Sequence, residues 1–108
     1  MERHRIEDFP KGWVVGNFSP SLHLNPNFEV GFKTFKAGDT EQAHYQIVAT
    51  EITIVTDGTI MIGNTTFETG DIIVIPPSEV AGFESITDSS LVCIKFPSVP
   101  SDKVLVNE

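Results

Sequence analysis

Three side chains in the middle of the sequence carry types and spacing that chemistry can use: His44, Gln46 and Glu51. A single residue separates His44 from Gln46, so on an extended strand both project from one face. Glu51 opens the next strand-like run, close enough to return across a turn. An imidazole, an amide and a carboxylate meeting inside a β structure could hold a divalent ion, pass protons, or hydrogen-bond a polar ligand. Gly38, Gly58 and Gly70 sit at turns around these residues, where a positive φ costs glycine little. Asp71, beside a turn glycine, reads as a carboxylate that bonds loop backbone.

The elements that must position these groups are strands. Short runs with period two recur between turn signals and no useful window has helical periodicity, the pattern of a sandwich or barrel. The expected strands are Trp13–Phe18, Glu29–Lys36, Ala43–Ile47, Glu51–Thr56, Thr59–Ile62, Thr65–Phe67, Ile72–Ile75, Val80–Ile86 and Leu91–Phe96. Asp57-Gly58 marks a hairpin, and Pro76-Pro77 stops a run that is apolar on both faces. Beyond Pro97 the chain cannot hold a central strand, and Lys103–Val106 is apolar enough to pair with something, a partner subunit being one choice. Thr53 and Val55 share a face with Glu51, and Phe83 could approach from the other side, giving a mixed polar and apolar interior. Tyr45 should face away from His44 and Gln46.

At 108 residues the chain is expected to be one domain, 1–108, large enough for its own core. Seven Lys and Arg against fifteen Asp and Glu give a net charge of −8, and the cations are spread along the sequence. That balance argues against nucleic acid and anionic membranes as partners, and no segment is apolar enough to span a bilayer. The charged first ten residues do not read as a secretory signal, so a cytoplasmic location is expected. Cys93 stands alone in an apolar run and reads as a small buried hydrophobe. His23 and His4 read as packing or solvated residues outside any site.

Between Phe28 and Pro97 the chain resembles the cupins. The spacing from Gly38 through His44, Gln46 and Glu51 to Gly58 matches the first cupin motif at every step, with Gln46 where that motif has its second His. Gly70-Asp71, Pro76 and Ala81 resemble the second motif, with Ala81 where it has a His. The resemblance implies an all-β double-stranded β-helix, a jelly-roll barrel whose relatives hold a divalent metal on three His and one Glu. Here His44 and Glu51 keep the ligand type, Gln46 offers a neutral oxygen, and Ala81 offers nothing.

The expected function is a small-molecule-binding or regulatory barrel with a degenerate metal site and a pocket made by His44, Gln46, Glu51, Thr53, Ala81 and Phe83. No cofactor is expected; the alternative is one divalent transition metal (Fe, Mn, Ni or Zn) on His44, Gln46 and Glu51. The alternative function is a cupin enzyme, either a weakly metal-dependent oxygenase or a metal-free isomerase or lyase with His44 and Glu51 as catalytic acid and base. A small polar ligand such as a sugar or carboxylate, and a homodimer, complete the expected partners.

Overall fold

The computed structural model describes residues Met1–Asn107, and the period-two runs do become strands. They are β1 (Trp13–Val15), β2 (Glu29–Phe35), β3 (Thr40–Gln46), β4 (Thr50–Asp57) and β5 (Thr59–Ile62). β6 (Thr65–Glu68), β7 (Ile72–Ile75), β8 (Ala81–Ser85), β9 (Ser89–Phe96) and β10 (Lys103–Leu105) follow. Helix is confined to two short 3-10 turns, Ile6–Asp8 and Pro10–Gly12. No helix among the described residues is long and apolar enough to cross a membrane. The strands form two antiparallel sheets, in the orders β1-β2-β9-β4-β7 and β10-β3-β8-β5-β6.

One end of the interior is filled by Val55, Ile60, Ile73, Leu91 and Cys93, with Phe35, Ile62, Phe67 and Phe83 packed on them. Val55 and Ile60 are fully buried. Each such side chain stabilises the fold by about 2 kcal/mol through the apolar surface it removes from water. The Phe35 and Phe83 rings join the two sheets, with centroids 4.5 Å apart.

Outside, the first sheet carries two apolar rows. Val74, Ile52, Ile94 and Val30 lie in cross-strand register, as do Ile72, Ile54, Val92 and Phe32. Ile72 and Val74 are 65% and 61% exposed.

Several boundaries differ from the sequence expectation. β1 stops at Val15 instead of Phe18, because its register with β2 shifts between Trp13 and Val15. β3 starts at Thr40 and carries a bulge between Glu41 and His44. β9 starts at Ser89, where the buried Ser85 and Ser89 hydroxyls bond each other at 2.6 Å and so carry strand structure into a stretch read as a polar turn. The tail strand β10 pairs with β3 of its own chain, Lys103 opposite Gln46 and Leu105 opposite His44. It is anchored there by Asp102, whose carboxylate accepts the backbone N–H groups of Val48 and Ala49, each at 2.9 Å.

Candidate functional site

Above the apolar plug the two sheets enclose a cavity of about 280 Å³. All six residues expected to form the pocket, His44, Gln46, Glu51, Thr53, Ala81 and Phe83, line it. The bulge in β3 takes up one residue, after which His44 and Gln46 both reach the interior. Tyr45, expected to face away, also borders the cavity.

Sharing a cavity has not made His44 and Glu51 partners. The His44 Nδ1–H donates to the Gln42 carbonyl at 3.0 Å, which leaves Nε2 outside that bond. Glu51 Oε2 accepts the Thr53 hydroxyl at 2.8 Å, and Glu51 Oε1 lies 4.0 Å from Lys95 Nζ. No hydrogen bond joins His44 to Glu51 among the described residues. Gln46 is 6% exposed, and its Nε2 has no hydrogen-bond partner among the described residues. A buried donor left unpaired costs about 1–3 kcal/mol.

Sequence reading missed the main feature of this wall. Four of the five lysines, Lys11, Lys33, Lys95 and Lys103, line the cavity, although their positions in the sequence looked scattered. Glu29, Glu41, Glu51 and Glu79 line it too, so the cavity is formally neutral inside a protein of net charge −8. The signal was available in the alternation of Glu29, Gly31, Lys33 and Phe35 on β2, and of Leu91, Cys93 and Lys95 on β9. Both runs point inward and place charge toward one end.

The charges are arranged around an indole. Trp13 lies across Gly31, its cross-strand partner, where a Cβ would come within 2.7 Å of the ring. Lys95 Nζ is 4.9 Å from the Trp13 ring centroid and Lys33 Nζ is 5.7 Å from it. Lys33 also pairs with Glu41 at 3.4 Å. Burial raises the pKa of Glu29 against the opposing pull of Lys95 and the Ser98 hydroxyl, which donates to it at 3.2 Å. Lys103 makes no ion pair among the described residues. Partial burial lowers its pKa, although the residue is exposed.

These residues do not fit a divalent metal. The donor set is one imidazole, one amide and one carboxylate, and that carboxylate already serves Thr53 and faces an ammonium that would repel a dication. Ala81, opposite His44 across β3 and β8, supplies no donor. No group of three or more His, Cys, Asp or Glu side chains among the described residues is placed to hold a metal ion. Cys93 is buried against Thr53, and desolvation pushes its thiol up to about 11, so it is neutral at physiological pH.

No protein-family model matches the sequence, and neither does any curated protein. Solved structures do resemble the chain. A double-stranded β-helix protein of Klebsiella pneumoniae superposes with a TM-score of 0.74 at 15% identity, over 100% of this chain and 99% of that one. KdgF from Halomonas sp. gives a TM-score of 0.65 at 18% identity over 70% of this chain and 74% of its own. A cupin-2 domain protein of Shewanella frigidimarina gives 0.59 at 19% identity over 65% and 71%. The two antiparallel sheets, the strand order and these likenesses together identify the fold of this chain as a double-stranded β-helix.

Proposed function

We propose that the chain is a small-molecule-binding barrel that works without a divalent metal, its interior charge supplied by lysine ammonium groups. The observation that carries this reading is the cavity wall. A buried unpaired amide, paired and unpaired charges and an aromatic face surround a space of about 280 Å³, which suits a small polar molecule. The separation of His44 from Glu51 by other partners favours binding over acid–base catalysis by that pair. A thermal-shift screen of sugars, sugar acids and short carboxylic acids tests the reading. A ligand of the native state must raise the melting temperature with concentration, and a screen in which none does so contradicts it.

The same reading includes a homodimer formed through the outer face of the first sheet. It is supported by the two apolar rows led by Val74 and Ile72, a face that water disfavours and a symmetric partner would cover.

A further inference from the structure

Gln46 on β3 and Lys103 on β10 are directly opposed across the strand pair, so their side chains leave the sheet side by side, and both line the cavity. Among the described residues each lacks a partner for its side-chain hydrogens: the Gln46 Nε2 group is buried with no acceptor, and the Lys103 ammonium forms no ion pair. Three carboxylates of the wall are engaged, while the side chains of Lys11, Tyr45 and Glu79 make no hydrogen bond or ion pair among the described residues. Glu51 takes Thr53 and faces Lys95, Glu41 takes Lys33, and Glu29 takes Ser98.

We propose that Gln46 and Lys103 form an oxyanion seat that receives the carboxylate or phosphoryl group of the ligand. This deepens the binding reading above and rests on it. The chemistry follows from what is unpaired. An amide N–H and an ammonium are both donors, so they ask for an acceptor, and a partly desolvated ammonium is best served by one that carries negative charge. A neutral hydroxyl or carbonyl would satisfy Gln46 and leave the Lys103 ammonium to solvent, whereas a cationic ligand would meet Lys103 as a like charge. The rest of the ligand then lies toward Trp13 and Phe35, which line the same cavity, and a hydroxyl on it could hydrogen-bond with His44 Nε2. An acidic sugar or a short hydroxy acid has this pattern, and so does a small phosphate ester.

The test is a titration of ¹⁵N-labelled protein, at constant ionic strength, with acetate, glucuronate, inorganic phosphate and glucose, following the Gln46 side-chain NH₂ resonances. The seat predicts a saturable shift with the oxyanions and none with glucose. It also predicts at least a tenfold weaker affinity in Lys103→Met, with Lys36→Met, the lysine outside the cavity, binding as the parent does. Gln46→Met removes the unpaired donor, so the variant should melt no lower than the parent yet lose oxyanion binding; this separates loss of the seat from loss of the fold. Tighter binding of phosphate than of the carboxylates would identify a phosphoryl ligand, and the reverse order an organic acid; either order supports the seat. Binding of glucose equal to that of glucuronate, or oxyanion binding unchanged in Lys103→Met, overturns the seat and leaves the binding barrel standing. No response to any of the four probes overturns the seat as well, and a metabolite found in the thermal-shift screen would then show that the barrel binds elsewhere.

Discussion

Cys93 shows how a residue type can mislead about reactivity. Its thiol is buried between strands, desolvation raises its pKa from 9.0 to about 11, and the negative charge of Glu51 adds to that rise. Native protein should therefore resist a thiol reagent at pH 8 and react fully once unfolded; rapid stoichiometric labelling of the native state would contradict this placement. Because the folded pKa is raised, the contribution of the neutral thiol to stability is complete below pH 9.0 and is lost as pH rises through about 11. Burial of Cys93 was legible in the sequence, as were His44, Gln46 and Glu51, because strand alternation and motif spacing are local properties. The lysines were not legible as a group. Lys33 and Lys95 are 62 positions apart in the sequence and approach the Trp13 ring together only because β2 and β9 are hydrogen-bonded neighbours.

The tail shows the same limit in an element. Lys103–Val106 was recognisable as a short apolar run able to pair, but its partner depends on Asp102, an acidic residue two positions after Pro100 with no local signature. Asp102 is 6% exposed and its carboxylate caps the turn from β3 to β4 through the Val48 and Ala49 amides. Replacing it with Ala leaves two backbone donors unpaired and should lower stability by about 2 kcal/mol in urea denaturation. The same change should loosen β10, raising amide exchange at Lys103–Leu105 ahead of the rest of the barrel. A variant as stable as the parent, with β10 still protected, would show that the strand is held by its ladder alone. Bulges were the other unreadable feature, since the extra residue between Glu41 and His44 changes which side chains face inward without altering composition.

For the whole molecule, the double-stranded β-helix was the most legible property, because ten short strands between Gly, Pro and Asp turns leave few other architectures for a chain of this length. The two apolar rows outside the first sheet were partly legible, as the Ile72–Ile75 run is apolar on both faces. Light scattering after size exclusion should return a dimer, and Val74→Lys, which puts a charge at the end of one row, should return a monomer of unchanged fold; a monomeric parent would remove the assembly. The proposed metal-free binding turns on charge in the interior, where Lys95 lies beside Glu51 and Ala81 supplies no donor. The measurement that meets this claim most directly is elemental analysis of protein purified without a metal-affinity tag. The predicted result is iron, manganese, nickel and zinc all far below one equivalent per chain. One equivalent of any of them, lost in His44→Ala, would contradict it.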